Sequence, residues 1–549
     1  MNLTRRFGLG VAVAASLAMI AAGLSSTVAQ ASASGSSPAP TVTHYTGTPG
    51  VARLMPRRAP AVGTPSALRP RGARRLPSGH FATAEAVPGA PAPAPAAAAA
   101  ATTRAALVNF NGVSSRDSQF TNFEQTFEPP DQGLCKGGSF VLEPVNSAYR
   151  IYSTTGRSLR GPFNINDLFN VGAKEFTSDP RCWFDRSTRT WFATILFIND
   201  SSTASSLLIA VRHNADPRGL WNEYSIDTTD LGGNGCPCLG DQPRLGIDQD
   251  NLYVTADEFS ILGPQFNSAE MWVIDKADLV AGVASPRFVH FADLMIDGQQ
   301  TLAPQPALAT GKPNAEYLLS SLDFNGTGDH RIGVWAVTNR DQGAGEKPEL
   351  SSVVISSEKY AVPPPAPQKG AASKLDSGDD RMQSTQFAGG TVWGELTTAV
   401  RPAGDRSVRA GGAWFQVKPT LGTTGITGAS IVRQGYIASA GQYEIYPAVQ
   451  PDAAGNAAVI FTLTSKKRFP SAAYATLKAG GRNFGPPVVA AAGAGPYDPT
   501  ATRWGDYSFA VPDTSDSAWL ATEYIPPKSS QTTTGAANWG TRVVKVPLG

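Results

Sequence analysis

The chain has 549 residues, of which 46 are basic and 44 acidic, with 55 glycines, 43 prolines and four cysteines. Residues 1–104 contain ten of the basic residues and a single acid, so residues 105–549 carry a net charge of −7. A mildly acidic domain is a poor partner for DNA or RNA, which require a basic face, and nucleic acids are therefore excluded as expected partners.

Residues 1–33 predict a secretory signal peptide. Arg5 and Arg6 precede an apolar run over residues 9–22, and small-x-small cleavage sites follow at residues 29–33. No other stretch approaches the roughly 20 apolar residues of a membrane-spanning helix. We therefore expect an exported protein, extracellular or associated with the cell wall, with no membrane span.

Residues 34–104 are predicted to be a disordered linker or propeptide. They are rich in Ala and Pro, and they contain eight arginines and one acid, Glu85. Such a segment buries too little apolar surface to fold. It is either a solvated spacer that holds the folded part away from a surface, or a basic arm that binds anionic cell-wall polymer, or a propeptide that is removed.

From residue 105 onwards one pattern recurs: a short polar segment, which we call a knot, then a short strand, a turn and a second strand with apolar alternation. Two more apolar runs follow most of these pairs, which gives four strands per unit. Repetition at this spacing is typical of solenoids, propellers or arrays, and helical periodicity is scarce. The pattern predicts an all-β fold over residues 105–549, a monomeric seven-bladed β-propeller of four-stranded antiparallel blades. The knots begin at Asp131, Asp179, Asp241, Gln305, Asp380, Glu444 and Asp506.

The two ends of the repeat region predict how the ring closes. The last unit offers three strands, at residues 507–511, 518–524 and 541–546, and a lone strand at residues 106–113 precedes the first blade. Because a closed ring leaves no exposed sheet edge, we expect residues 106–113 to complete the last blade. The alternative is a frayed leader strand.

The four cysteines lie at or beside the knots of the first three blades. Export and an even number favour two disulfides, with three connectivities open, and metal binding is the alternative. A bridge between neighbouring inner strands would lock two blades together. The residues are Cys135, Cys182, Cys236 and Cys238.

The knots predict a ring of side chains at one mouth of the channel. Six of the seven knot residues are acids, and oxygen ligands of this kind suit Ca²⁺. Alternatively, each acid caps its own turn by accepting backbone N–H groups. Three arginines directly follow knots, at Arg181, Arg244 and Arg381. Four aromatic residues lie beside knots and predict either a sugar-binding cleft or packing between blades: Trp183, Tyr446, Trp504 and Tyr507.

The stretch FDRSTRTWF at residues 184–192 resembles an aspartate-box turn, with Asp185 and Trp191 in the corresponding roles. It is one residue longer than that box and lacks its glycine. At the level of the repeat pattern, the chain resembles the secreted propellers grouped with sialidases. The resemblance implies a propeller, and a sialidase would also need three arginines and a Tyr/Glu nucleophile pair, which no motif assigns here.

Two functional hypotheses follow. The first is an extracellular binding module that holds a glycan or a protein at the channel mouth. The second is a polysaccharide-active enzyme, a glycosidase or lyase, that uses paired carboxylates. G-x-S-x-G, H-E-x-x-H and phosphate-binding loops are absent, and His290, a candidate lyase base, fits better as an ordinary strand residue.

Overall fold

The computed structural model describes residues 41–57, 104–172, 175–231, 235–263, 265–497 and 503–548. Strands dominate this part of the chain, which confirms the predicted all-β class. The helical segments are short, and none of those placed in the structure is long and apolar enough to cross a membrane. They are α1 (Ser115–Thr121), α2 (Ile165–Leu168), α3 (Lys276–Ala281), η1 (Gln342–Ala344) and η2 (Lys528–Ser530). The predicted signal peptide lies outside the described residues.

Four strands precede the repeat region: β1 (Thr43–Tyr45), β2 (Thr48–Val51), β3 (Arg53–Leu54) and β4 (Val108–Ser114). Sheet 1 contains β5 (Cys135–Gly137), β6 (Phe140–Pro144), β7 (Ala148–Ser153) and β8 (Ser158–Asn164). Sheet 2 contains β9 (Phe176–Asp185), β10 (Thr190–Ile198), β11 (Ser205–His213) and β12 (Asn222–Asp227). Sheet 3 contains β13 (Cys238–Ile247), β14 (Asn251–Ser260), β15 (Phe266–Asp275) and β16 (Arg287–Ile296), with β17 (Gln299–Gln300) at its edge.

Sheet 4 contains β18 (Gln305–Pro306), β20 (Glu316–Ser321), β21 (Asp329–Thr338) and β22 (Glu349–Tyr360), and β19 (Leu308–Ala309) pairs in parallel with β13 and β25. A small hairpin, β23 (Ala366–Pro367) and β24 (Lys374–Leu375), leads to sheet 5, which contains β25 (Met382–Ala388), β26 (Thr391–Val400), β27 (Arg409–Gly422) and β28 (Gly425–Ile437). Sheet 6 contains β29 (Tyr443–Pro451), β30 (Ala457–Ser465), β31 (Arg468–Leu477) and β32 (Val488–Ala491), and sheet 7 contains β33 (Phe509–Thr514), β34 (Ser517–Tyr524) and β35 (Gly540–Pro547).

The first strands of the seven sheets contact one another in a cycle. Within each sheet, neighbouring strands pair antiparallel in chain order. Strand β5 contacts β9, β9 contacts β13, and the series continues through β18, β25, β29 and β33. Strand β33 then contacts β5. The contacts between first strands therefore return to their starting point.

The core lies between the faces of neighbouring sheets. Successive side chains of a strand point to opposite faces, and both faces of sheet 2 are covered. Trp191 packs in a cluster with Leu142 of sheet 1, whereas its neighbour Phe192 packs in a cluster with Leu245 of sheet 3. Burial on both sides explains why β10 is apolar along almost its whole length instead of alternating with polar residues.

Buried acids accept backbone N–H groups near the starts and ends of the sheets. Asp257 accepts from Ala303 N–H at 2.9 Å, Glu316 from Ala307 N–H at 2.7 Å, and Glu523 from Gly505 N–H at 2.8 Å. Glu143 accepts from Val113 N–H at 2.9 Å. An unpaired buried N–H group costs about as much free energy as a lost hydrogen bond, so these acids stabilise the irregular starts and ends of the sheets.

The N-terminal segment differs from the predicted disordered linker over residues 41–57. Here β1 pairs antiparallel with β22, β2 with β16 and β3 with β12, so one short strap adds an outer strand to sheets 4, 3 and 2 in turn. Composition misses this because the strap folds through backbone hydrogen bonds to existing sheet edges and needs little apolar surface of its own. Residues 58–103 lie outside the described residues.

Strand β4 closes sheet 7, as predicted from the ends of the repeat. It pairs antiparallel with β35, and Val543 lies opposite Phe110. The first repeat-region strand and the last strand of the chain thus share one sheet.

Both predicted disulfides are present, and the described cysteines include no free thiol. Cys135–Cys182 joins β5 to β9 and links sheet 1 to sheet 2, whereas Cys236–Cys238 spans only two positions of sequence. The role of locking neighbouring strands therefore applies to the first bridge only. In the chain-entropy view, a loop of 48 residues contributes about 4 kcal/mol, against roughly 1.6 kcal/mol for a loop of three.

Removal of β4 tests the closure of the ring. A chain that starts at Ser115 should form oligomers and melt at a lower temperature than a chain that starts at Arg104, because β35 becomes an exposed edge. It also removes the Val113 N–H from Glu143, which keeps Tyr152 and Thr541 as donors, and the loss of one such hydrogen bond costs about 0.5–1.5 kcal/mol.

Light scattering and thermal melting compare the two chains. Both chains lack the strap, so its loss affects their melting temperatures equally. Equal melting temperatures and two monomers would show that β4 does not close the ring.

Candidate functional site

The first strands of several sheets start with the same backbone irregularity. A residue with left-handed φ stands within the first strand or shortly before it, and proline follows this residue in four of the five cases. In sheets 2, 3 and 6 this pair forms a β-bulge. Bulges redirect side chains and concentrate near functional sites. The left-handed residues are Asp131 (44°), Asp179 (60°), Gln242 (49°), Ala303 (48°) and Tyr446 (54°).

Three of the predicted knot acids converge on one another. One carboxylate oxygen from each of Asp131, Asp179 and Asp506 lies within 4.8 Å of the other two. Asp131 and Asp179 are buried, whereas the Asp506 side chain is 27% exposed. The cluster therefore joins sheets 1, 2 and 7 and reaches the surface through Asp506.

Hydrogen bonds fix Asp131 between three sheets. One oxygen accepts from Asp506 N–H at 2.7 Å and the other from Asn146 Nδ2 at 2.7 Å. Asn146 in turn accepts the Asp179 N–H at 2.7 Å. Asp131 thus behaves as a turn cap, the alternative that the sequence left open. The carboxylate of Asp179 differs, since it accepts no hydrogen bond from the residues that the structure describes.

Arginines surround the acids and are held by other acids. Arg503 pairs with Asp506. Arg244 donates to Asp257 Oδ2 and to Gln242 Oε1, each at 2.7 Å. These contacts bring guanidinium groups beside the carboxylates without neutralising Asp179 directly.

Arg381 extends the arginine group towards the surface. It donates to Gln242 Oε1 at 2.9 Å and pairs with Asp379 at 2.6 Å. Its side chain is 14% exposed. Sheets 3 and 5 are therefore connected to the same network as sheets 1, 2 and 7.

Burial and mutual repulsion keep these acids from ionising easily. Burial, followed by the charges of Asp506 and Asp179, raises the pKa of Asp131 well above its usual range. Burial, followed by the charges of Asp241 and Asp506, raises the pKa of Asp179 to about 7. Burial, followed by the charge of Asp257, raises the pKa of Asp241 to about 6. The cluster is thus short of positive charge near neutral pH.

The structure does not bring Gln305, Asp380 or Glu444 to this cluster, whereas the charge of Asp241 acts on Asp179 and that of Asp506 acts on Asp241. Asp380 lies beside Asp323 and Asp379, and Glu444 bonds to Ser439. Gln305 is buried in sheet 4. The expected ring of seven equivalent side chains is therefore wrong, because the left-handed position is Tyr446 instead of Glu444 and Gln242 instead of Asp241. At Asp241 the shift is one residue, which turns a strand side chain to the opposite face, and at Glu444 it is two residues.

The aromatic residues near the knots are packed inside the protein. Trp504 and Tyr507 are each 1% exposed, and Tyr446 and Trp183 are also buried. The Arg181 guanidinium lies 3.4 Å from the centre of the Tyr507 ring, and Trp504 Nε1 donates to Thr462 Oγ1 at 3.2 Å. None of these four rings offers a face for stacking on a sugar, and packing between sheets is the interpretation that the structure supports.

Several residues of the network were not singled out from the sequence. Arg503 directly precedes the Trp504–Tyr507 stretch, and Gln242 directly follows Asp241. Asp257 stands at the end of the strand that follows the third knot, where an acid in an apolar run is the available signal. Asn146 carries no local signal, because its role appears only when sheets 1 and 2 meet.

The aspartate-box stretch forms the hairpin turn between β9 and β10. Asp185 accepts from the Ser187 N–H at 2.9 Å and from Thr188 Oγ1 at 2.8 Å. It also pairs with Lys276 of α3 at 3.1 Å. Its carboxylate stabilises the turn, in agreement with the role that the resemblance implied.

Comparison with known proteins finds similarity in solved structures alone. No family model and no curated protein sequence matches the chain. An α-L-arabinanase from Penicillium chrysogenum is 9% identical, with 81% of this chain and 99% of that chain covered and a TM-score of 0.36. A Hadza microbial sialidase is 10% identical, with 76% and 65% covered and a TM-score of 0.32. An exo-β-1,3-galactanase from Clostridium thermocellum is 13% identical, with 66% and 78% covered and a TM-score of 0.28. At these identities and TM-scores, the activities of these proteins are not carried over to this chain.

The raised pKa of Asp179 predicts a pH-dependent stability. An acid whose pKa is higher in the folded state stabilises the fold while it is protonated, and this contribution is lost as pH rises from about 4 to about 7. Each pKa unit corresponds to about 1.4 kcal/mol. In metal-free protein, Asp179→Asn should therefore raise the melting temperature at pH 8 and change it little at pH 5.

Asp200→Asn, at an exposed position, is the control and should not change melting at either pH. If Asp179→Asn lowers the melting temperature equally at both pH values, its carboxylate is a structural hydrogen-bond acceptor.

Proposed function

We propose that this chain is an exported seven-bladed β-propeller that binds a glycan, together with Ca²⁺, at one mouth of its central channel. The observation that carries the proposal is the cluster of Asp131, Asp179 and Asp506, whose oxygens lie within 4.8 Å of one another at a partly exposed position. The closed cycle of contacts between first strands supports seven blades around one channel.

Export is supported by two independent features. Both cysteine pairs form disulfides, which persist in oxidising compartments and are rare in the cytosol. The N-terminal sequence carries the charged, apolar and small-residue regions of a signal peptide.

The donor set of the cluster fits a hard cation. Ca²⁺ binds oxygen ligands at about 2.3–2.6 Å, so two of its ligands stand up to about 5 Å apart. The three carboxylates fall within that limit, and Asp179 has no hydrogen-bond donor among the described residues to take the place of a metal. The buried Tyr446 hydroxyl also has no hydrogen-bond partner within the described part of the chain, and the charges of Asp506 and Asp131 reach it. Asp131, Asp179 and Asp506 would hold the ion, which would supply the missing positive charge.

Polar groups would then recognise the ligand, since the nearby aromatic rings are buried. Asp506, Arg503 and Arg381 are the members of the network with exposed surface. Carboxylates and guanidinium groups bond readily to pairs of hydroxyls, and Ca²⁺ takes six to eight ligands, which leaves positions for hydroxyl oxygens. A polyhydroxylated glycan meets both requirements.

Glycoside hydrolysis fits these three acids less well than binding. Retaining enzymes keep their two carboxyl groups about 5–5.5 Å apart, and inverting enzymes about 6.5–9.5 Å apart to admit a water molecule. The cluster oxygens approach more closely than that. Binding without release of sugar is therefore the expected activity.

Calcium should stabilise the folded protein. A ligand that binds only the native state adds about 2.7 kcal/mol at a hundredfold excess over its dissociation constant. Millimolar Ca²⁺ added to chelator-treated protein should therefore raise the melting temperature by several degrees, and Asp179→Asn should abolish this rise. Asp380→Asn is the matched control, because Asp380 is equally buried but lies outside the cluster. A rise that persists in Asp179→Asn would place the ion elsewhere.

The glycan proposal is tested on a panel of immobilised polysaccharides. We expect at least one to retain the protein in Ca²⁺ and to release it when chelator is added, with no soluble sugar produced. Asp506→Asn should weaken retention, whereas Asp380→Asn should not. Sugar release would favour the enzyme hypothesis, and an absence of retention across the panel would contradict glycan binding.

A further inference from the structure

The bridge between Cys236 and Cys238 stands at the start of β13, away from the residues of the acid cluster. Cys238 is fully buried, whereas Cys236 is partly exposed. The bridge closes a loop of three residues and joins no two sheets, so the stabilisation of the fold does not account for it. The two cysteine residues differ in their exposure to solvent.

Polar groups contact both sulfurs. Asn267 Nδ2 donates to Cys238 Sγ at 3.1 Å. Glu258 Oε1 lies 3.6 Å from Cys236 Sγ, and Asp230 Oδ2 lies 3.7 Å from the same sulfur. Asn267 Nδ2 also lies 3.7 Å from Cys236 Sγ, so the amide is closer to the sulfur of the buried Cys238, and two carboxyl groups lie beside Cys236.

A row of side chains connects Glu258 to the surface across sheet 3. Glu258 on β14 is hydrogen-bonded to Glu270 on β15. The other end of Glu270 contacts His290 Nε2 on β16 at 2.7 Å. His290 is 28% exposed, and its ring stacks on Trp272 at 5.0 Å. Protons can therefore pass between solvent and the bridge through three titratable side chains.

The other disulfide in the same chain has no such surroundings. Cys135 and Cys182 are both fully buried. The polar atom recorded near their sulfurs is the carbonyl oxygen of Leu142, at 3.7 and 3.9 Å. This bridge serves as an internal reference for a purely structural disulfide.

We propose that Cys236–Cys238 is a thiol–disulfide exchange site that oxidises pairs of thiols exposed on other proteins. The proposal rests on the accessible sulfur, the donor on the buried sulfur and the proton path to solvent. It is independent of the acid cluster.

The reaction balances as two exchanges. A substrate thiolate attacks Cys236 Sγ, the bridge breaks, and Cys238 leaves as a thiolate that the Asn267 amide stabilises. The second substrate thiol then passes its proton to the Cys238 thiolate and attacks the substrate sulfur of the mixed disulfide, and Cys236 leaves and takes a proton from Glu258. The substrate gains a disulfide, the protein becomes a dithiol, and a small-molecule disulfide restores the bridge.

The protonation state of Glu258 supports its role as the acid. Burial, followed by the charge of Glu270, raises the pKa of Glu258 to about 8, so the carboxyl group holds a proton at neutral pH. The titratable groups that face the bridge or its proton path are Asp230, Glu258, Glu270 and His290. His290 can return a proton to the path after each exchange.

Selective reduction tests the site in the folded, full-length protein. Brief treatment with a small dithiol, followed by alkylation and mass spectrometry, should label Cys236 and Cys238 and leave Cys135–Cys182 intact. The single-cysteine variants should differ: Cys238→Ser should form a mixed disulfide with an oxidised peptide through Cys236, whereas Cys236→Ser should not react. Simultaneous reduction of both bridges, no reduction before unfolding, or equal reactivity of the two variants would overturn the proposal.

Kinetics test the role of Glu258. The probe is a synthetic peptide with two cysteines and a fluorophore pair that reports its oxidation, with oxidised glutathione as the terminal oxidant. The wild-type rate should fall above pH 8 as Glu258 loses its proton. Glu258→Gln should slow oxidation at pH 7 by about a hundredfold, the lower end of what a positioned general acid contributes, and should remove the descending limb.

Glu223→Gln is the matched control for this change. Glu223 is also buried, and burial raises its pKa to about 7, but it lies in sheet 2 away from the bridge. This variant should keep both the rate and the pH profile. A Glu258→Gln protein with the wild-type profile would overturn the assignment of Glu258, and a wild-type protein that does not accelerate peptide oxidation would overturn the activity.

Discussion

The convergence of seven first strands is the constraint on which the rest of the structure depends. Because each first strand contacts the next and β33 returns to β5, polar groups of sheets 1, 2, 3, 5 and 7 meet in one largely buried network. Bulges interrupt the first strands of sheets 2, 3 and 6. In sheets 4 and 7, Asp257, Glu316 and Glu523 accept backbone N–H groups instead. The remaining acids repel one another and draw in arginines. The charged cluster is thus a direct product of the geometry that holds the sheets together.

Much of this architecture could be predicted from the sequence. The recurring polar knots located the start of each repeat, and the leftover strand before the first repeat pointed to the pairing of β4 with β35. Three of the predicted knot residues also form the cluster. The register at each knot could not be predicted from the sequence. A bulge places Gln242 instead of Asp241, and Tyr446 instead of Glu444, at the left-handed position. The strap escaped prediction as well, because segments of two to four residues carry no periodicity.

The two sites differ in how far their parts are separated in sequence. Asp131 and Asp506 are 375 positions apart and meet only when the cycle of sheets closes. The bridge and its proton path lie within residues 230–290, almost entirely on sheet 3. If the cycle of sheets failed to close, the protein would therefore lose the carboxylate cluster first, whereas the disulfide on sheet 3 could still form. Strand β13 contributes to both sites, with Cys238 at its start and Asp241 three residues later.

The strap has a consequence for the order of events during biosynthesis. Residues 43–54 leave the ribosome before any of the sheets to which they bind, and Thr43 pairs with Ser352 about three hundred residues later. Strand β1 must therefore stay unpaired until sheet 4 has been made, and β4 must wait for β35 at the very end of the chain. Long waits of this kind leave strand edges exposed to aggregation. The segment that is synthesised first is therefore among the last to reach its native position.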